Sequence, residues 1–89
     1  MDSTSDIAVG QVVKSRAGRD KGNIFLVLDI IDSKHIYIVD GDIRKLDAPK
    51  KKKISHVIVY NTVFPELKEK MENGTKINNA YIRKLLRSE

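Results

Sequence analysis

The feature that most constrains this chain is a series of short apolar clusters, rich in valine and isoleucine, between residues 7 and 60. Turn-forming residues interrupt the clusters every eight to twelve positions, at Arg16–Gly22, Asp32–Lys34 and Asp40–Asp42. β-branched side chains pack well on a pleated surface, and short strands at this spacing are typical of small all-β folds. The pattern therefore predicts a mainly β domain.

The clusters predict five strands. The first covers about Gln11 to Ser15, the second Asn23 to Ile31 and the third His35 to Asp40. The second is nearly continuous in apolar residues, which is typical of a central strand buried on most of both faces. Alternation resumes between Lys53 and Tyr60, and a break near Ser55 and His56 would give a fourth strand and a short fifth that close a barrel.

The last third of the chain changes to helical periodicity. Pro65 suits the first turn of a helix that Asn73 and Gly74 would end, and Asn78 suits the N-cap of a second helix. The apolar residues expected to pack against the barrel or each other are Leu67, Met71, Ile82, Leu85 and Leu86. The predicted organisation is a disordered lead-in at residues 1–6, a barrel at residues 7–62 and a helical extension at residues 63–89.

The size and composition of the chain bound its function. A chain of 89 residues builds one modest core and hardly a deep active site. There is no cysteine and no recognisable catalytic motif, so we predict neither an enzyme nor a cofactor. The sequence also has no apolar stretch of the ~20 residues that a membrane span needs, which predicts a soluble, cytoplasmic protein without a membrane partner.

Positive charge is concentrated in two short segments. The net charge is +5, and residues 14–21 contain four basic residues and one acidic residue, while residues 44–53 contain six and one. Between them, residues 22–43 contain four aspartates and one lysine. This segregation favours a polyanionic partner over a small-molecule substrate.

The segment Gly10–Gly22, GQVVKSRAGRDKG, together with the apolar strand after it resembles a KOW motif, the SH3-like barrel segment of ribosomal and transcription-elongation proteins. Three further segments, at residues 39–41, 50–53 and 54–57, extend the similarity to the single-KOW family of large-subunit ribosomal protein fourteen of the archaeal and eukaryotic type, with its bacterial stand-alone relatives. The resemblance covers roughly residues 7–62. It implies a five-stranded SH3-like barrel and structured ribosomal RNA as the partner.

The basic segments are the predicted RNA-binding site. Glycines let the backbone come close to a partner, and arginine and lysine donate hydrogen bonds to phosphates. The lysines of residues 50–53 would make point-charge contacts that do not read base sequence. The predicted RNA-binding residues are Lys14, Arg16, Gly18, Arg19, Lys21, Gly22, Arg44, Lys45, Lys50, Lys51, Lys52 and Lys53. Two alternatives stay open: the glycines only shape a turn, and the lysine run is only a solvated edge that blocks strand pairing. A nuclear address is a third explanation of the lysine run.

The remaining polar and aromatic candidates carry weaker signals. His35 and His56 fall on different strands and make a poor metal site, and Asp40 and Asp42 suit a turn better than acid–base catalysis. Tyr37 and Tyr60 could stack on bases, but a small barrel also needs aromatic filling. The competing function is a protein-interaction module that docks on RNA polymerase or a ribosomal protein, for which binding would depend little on salt.

Overall fold

The computed structural model describes residues 3–88, in which the apolar clusters form strands as expected. The strands are β1 (Gln11–Ser15), β2 (Ile24–Ile30), β3 (His35–Val39), β4 (Lys50–Lys53) and β5 (Val57–Val63). A 3-10 turn (Ile54–His56) joins β4 to β5, and the helices α1 (Pro65–Glu72) and α2 (Asn79–Arg87) follow. The prediction of a mainly β fold with five strands and a helical C-terminal extension is confirmed.

All neighbouring strands in the sheet are antiparallel, and their order is β4-β3-β2-β1-β5. β2 lies at the centre, in agreement with its nearly continuous apolar sequence. Successive side chains of a strand point to opposite faces, so β2 contributes Phe25 and Val27 to one face and Leu26 to the other, all without solvent exposure.

Each face of the sheet has its own hydrophobic cluster. The first cluster consists of Ile7, Val13, Phe25, Val27, Ile36, Ile38, Ile54 and Val57. The second cluster lies under the two helices and consists of Val12, Leu26, Val39, Leu67, Ile82 and Leu85. The helices thus cover part of one face of the sheet.

The predicted helix ends are confirmed, and one predicted core residue is wrong. Pro65 opens α1, and Asn78 caps α2 by accepting a hydrogen bond from the Tyr81 amide at 2.8 Å. Met71 was expected in the core but is 41 % exposed, because the second cluster takes only Leu67 from this short helix. None of the helices within residues 3–88 is long and apolar enough to cross a membrane.

The last two strands extend further than expected. β4 begins at Lys50 because the lysine run itself pairs with β3, with Lys52 opposite Ile36. The predicted break is the 3-10 turn, after which β5 continues for seven residues, to Val63, along β1. β5 is therefore not short, and it passes the boundary expected at residue 62.

The start of the described chain is anchored to the sheet. Thr4 is buried, its amide donates to the Ser33 carbonyl oxygen at 3.0 Å, and its hydroxyl donates to the Asp32 carbonyl oxygen at 2.7 Å. These bonds hold Thr4 against the β2–β3 turn, within the lead-in for which the sequence predicts disorder. Residues 1 and 2 of the predicted lead-in lie outside the described residues.

Candidate nucleic-acid interface

Three parts of the fold converge on one basic cleft. The β1–β2 loop, the β3–β4 loop and the first residue of β4 enclose about 320 Å³, lined by Arg19, Asp20, Asn23, Ile43, Arg44 and Lys50. We call this the basic cleft. It joins one cation from the first basic segment of the sequence to two from the second.

The β1–β2 loop is closed by its backbone. The Ser15 amide donates to the Asn23 carbonyl oxygen at 3.0 Å, and the Gly22 amide donates to the Ser15 carbonyl oxygen at 2.8 Å. Gly18 and Gly22 have φ angles of +86° and +92°, which side chains rarely adopt. The glycines therefore supply the positive φ angles of this loop.

A polar cluster under the cleft fixes the loop to β4. The Asp20 carboxylate accepts hydrogen bonds from Lys52 Nζ at 2.9 Å, Lys50 Nζ at 2.9 Å and Ser15 Oγ at 2.7 Å. Lys52 Nζ also donates to the Ala17 carbonyl oxygen at 2.8 Å. We call Ser15, Asp20, Lys50 and Lys52 the Asp20 lock.

The Asp20 carboxyl is ionised at neutral pH. Burial by itself raises the pKa of this carboxyl, but the hydrogen bonds from Lys52, Lys50 and Ser15 outweigh burial and hold the pKa well below its usual range. The lock contains two ammonium groups for one carboxylate, so it retains positive charge. Asp20 therefore organises the cleft without making it acidic.

Lys52 is buried, which sets it apart from the other predicted RNA-binding lysines of β4, and its phosphate contact stays a prediction. Only 6 % of it is exposed, and its ammonium group is held by Asp20 and Ala17. The lysine lies opposite Ile36 of the first cluster, so the register of β4 directs it inward.

The other predicted cations do not line the cleft. Lys51 and Lys53 alternate with the lock lysines along β4 and are exposed on its other face. Lys14 is half-buried on β1. The exposed cations of the two loops that do not line the cleft are Arg16, Lys21 and Lys45.

Sequence reasoning missed Asp20 and Ile43. Asp20 is the one acid of a basic loop, a signal that becomes informative only when the register of β4 is known. Ile43 is 65 % exposed and lies in a stretch without clear periodicity. It gives the cleft an apolar wall beside its cations.

Asp40 has the turn role that the sequence predicts. Asp40 Oδ1 accepts hydrogen bonds from the Asp42 and Arg44 amides at 2.9 and 2.8 Å, which shapes the β3–β4 loop.

One histidine considered as a metal ligand has a carboxylate partner: His35 Nδ1 lies 3.0 Å from Asp32 Oδ1. Across residues 3–88, no three histidine or carboxylate side chains are grouped so that they could hold a metal ion.

The chain is similar to a known bacterial protein. No protein-family profile matches the chain. The sequence is 27 % identical over 73 residues to a Bacillus subtilis (strain 168) protein named "Putative ribosome-binding protein YbzG". The similarity covers 82 % of this chain and 99 % of the relative, so it spans nearly the whole length of that protein.

Proposed function

We propose that this protein binds structured ribosomal RNA on the large ribosomal subunit, in the cytoplasm, and that the basic cleft holds RNA phosphates. The observation that carries the proposal is the convergence of Arg19, Arg44 and Lys50 on one cleft from distant parts of the chain. No described residue forms an ion pair with Arg19 or Arg44, so both guanidinium groups are available for phosphate oxygens. The proposed function is binding without catalysis.

The relative supports the ribosome as the place of action. Its name describes ribosome binding, and the similarity extends over nearly all of its length. The proposal also includes an SH3-like barrel of the KOW type. The first cluster favours that fold because it contains side chains from β1, β2, β3 and β5 and from the 3-10 turn.

A protein-interaction function is the second candidate, and exposed apolar residues of the sheet favour it. Ile58 and Val63 of β5 are 45 % and 37 % exposed, on a strand at one end of the sheet order. Such a surface could dock on a ribosomal protein or RNA polymerase. We favour RNA because the cleft joins three cations from distant parts of the chain into one positive surface.

The test compares two double variants with the same change in charge. Arg19→Gln/Arg44→Gln removes the two unpaired cations of the cleft, and Lys68→Gln/Lys84→Gln removes two exposed cations from α1 and α2. Binding to a ribosomal RNA hairpin and to purified large subunits is measured across salt concentrations. We expect the cleft variant to lose about tenfold or more in affinity and to have a salt slope lower by about 0.7–0.9 for each lost phosphate contact.

The control variant should keep nearly wild-type affinity and slope. Equal losses in the two variants would contradict the cleft as the binding site. Binding to large subunits that is insensitive to salt, together with no binding to the hairpin, would instead favour the protein-interaction function.

A further inference from the structure

The aromatic residues divide sharply according to where they pack. Phe25 lies in the first cluster, and Phe64, Tyr60 and Tyr81 lie in or against the second. Tyr37 is half-buried on β3 but packs against neither cluster. Among the aromatic side chains in residues 3–88, the Tyr37 ring is thus the one that the hydrophobic core does not use.

Tyr37 alternates with Ile36 and Ile38 along β3, so its side chain lies on the other face of the strand, beside lysines of β4. In the register of these strands, Tyr37 is directly across from Lys51. His35 is directly across from Lys53, and both lysines are exposed. We call His35, Tyr37, Lys51 and Lys53 the outer face.

Space for a ligand adjoins this surface. A second cleft of about 540 Å³ is lined by Lys34, His35, Lys53, Ile54 and Ser55. This volume falls within the ~300–1,000 Å³ that small-ligand sites occupy, and the lining supplies hydroxyl and ammonium donors.

The acids near this surface limit what it can bind. Asp32 pairs with the His35 ring, and its Oδ1 also accepts from the Lys34 and His35 amides at 2.8 Å. On the other side of Tyr37, Asp29 of β2 is directly across and exposed. Asp29 therefore opposes an anion at Tyr37, while Lys51 favours one.

We propose that the outer face binds an unpaired nucleotide of RNA, with its base stacked on the Tyr37 ring and its flanking phosphates on Lys51 and Lys53. Every base has an aromatic face, and a ring flanked by lysines is the arrangement by which single strands are held without sequence preference. The inference rests on the proposed RNA-binding function and adds a class of RNA to it. The basic cleft takes phosphates of a folded RNA, and the outer face takes a base that is free of pairing.

The experiment uses a short single-stranded RNA and a blunt-ended RNA duplex of the same total charge. Tyr37→Leu removes the ring and Tyr37→Phe keeps it. We expect Tyr37→Leu to lose about tenfold in affinity for the single strand and less than about twofold for the duplex, with Tyr37→Phe close to wild type. Asp29→Asn should bind the single strand severalfold more tightly, because it removes the opposing charge.

Lysine variants test whether single-strand binding depends on the outer face or only on the net charge of the protein. Lys51→Gln/Lys53→Gln should weaken single-strand binding more than Lys68→Gln/Lys84→Gln does, although both remove two charges. Unchanged single-strand affinity in Tyr37→Leu, or equal losses for the two RNAs, would overturn the inference and leave the basic cleft unaffected. A wild-type protein that binds neither RNA would overturn the proposed function as well.

Discussion

At the scale of single residues, Asp20 combines a structural role with a defined charge. It lies in a loop that would otherwise be entirely basic, and it accepts hydrogen bonds from Lys50, Lys52 and Ser15. Asp20→Asn keeps the shape of the side chain and removes its charge, which leaves the buried Lys52 ammonium without its counterion. We expect the free energy of unfolding at pH 7 to fall by about 1–3 kcal/mol, measured by chemical denaturation.

The difference between wild type and Asp20→Asn should depend on pH. The pKa of Asp20 is lower in the folded protein than in the unfolded chain, so its stabilisation is fully present above the ordinary pKa and is lost as pH falls towards the folded value. The difference in unfolding free energy should therefore narrow progressively below about pH 4. Asp47→Asn, in an exposed part of the β3–β4 loop, is the matched control and should change stability by less than about 0.5 kcal/mol at any pH. A difference that stays constant down to pH 3 would mean that charge is not the cause.

At the scale of secondary structure, β4 shows how identical residues in one run can have different surroundings. Lys50 and Lys52 belong to the Asp20 lock, and Lys51 and Lys53 are exposed on the outer face. We expect Lys52→Gln to cost about 1–3 kcal/mol of unfolding free energy and Lys51→Gln less than about 0.5 kcal/mol. Thermal or urea denaturation of the two variants checks this, and equal stability losses would contradict the alternating assignment.

The packing of α2 against the β3–β4 loop depends on Gly41. Its φ is +76°, and a Cβ there would collide with the Asn79 carbonyl oxygen and lie 3.2 Å from the Ile82 side chain. Gly74 has a similar φ of +71° with no atom within 4 Å of such a Cβ, so Gly74→Ala measures the backbone cost alone. That cost is about 1–2 kcal/mol. We expect Gly41→Ala to be about 1–3 kcal/mol worse than Gly74→Ala, because α2 must move; similar losses would show that the helix adapts freely.

The sequence was most informative about elements whose signals are local. Clusters of β-branched residues predicted β1 to β3, and Pro65 and Asn78 predicted the starts of both helices, because turns and caps depend on neighbours in the chain. The start of β4 was missed because four consecutive lysines carry no apolar alternation. Their pairing with β3 comes from tertiary structure, which overrides local pattern.

The sequence predicted which segments contribute to the candidate site, but it did not predict which way their side chains face. Segregated charge indicated which two segments would matter, but only the register of β4 decides that Lys52 faces inward and Lys51 outward. For the same reason the sequence could not separate Tyr37 from Tyr60. Tyr60 packs against the second cluster, and Tyr37 does not.

At the scale of the whole molecule, the two faces of the sheet have different structural roles. The first cluster holds the strands together, and the second forms where α1 and α2 cover part of the other face. The Asp20 lock then ties the β1–β2 loop to β4 at the edge of the sheet. A small domain with little surplus stability can in this way hold cations from distant segments in fixed positions.

We therefore expect the C-terminal helix α2 to be required for folding, whatever it contributes to binding. Deleting residues 77–89 removes Ile82 and Leu85 from the second cluster and exposes Val12, Leu26 and Val39 of the sheet. Each fully buried apolar side chain contributes about 1.5–3 kcal/mol, while a whole domain has only about 5–15 kcal/mol of net stability, so we expect the truncated protein to unfold or aggregate.

Ile82→Ala gives a graded form of the same test, with an expected cost of about 2–5 kcal/mol. Met71→Ala, at an exposed position, should cost less than about 1 kcal/mol. Calorimetry and size-exclusion chromatography of the three proteins check the stability, and sedimentation with purified large subunits checks binding. A truncated protein that is soluble and as stable as wild type but no longer sediments with large subunits would reverse the assignment, because α2 would then act on the partner rather than on the sheet.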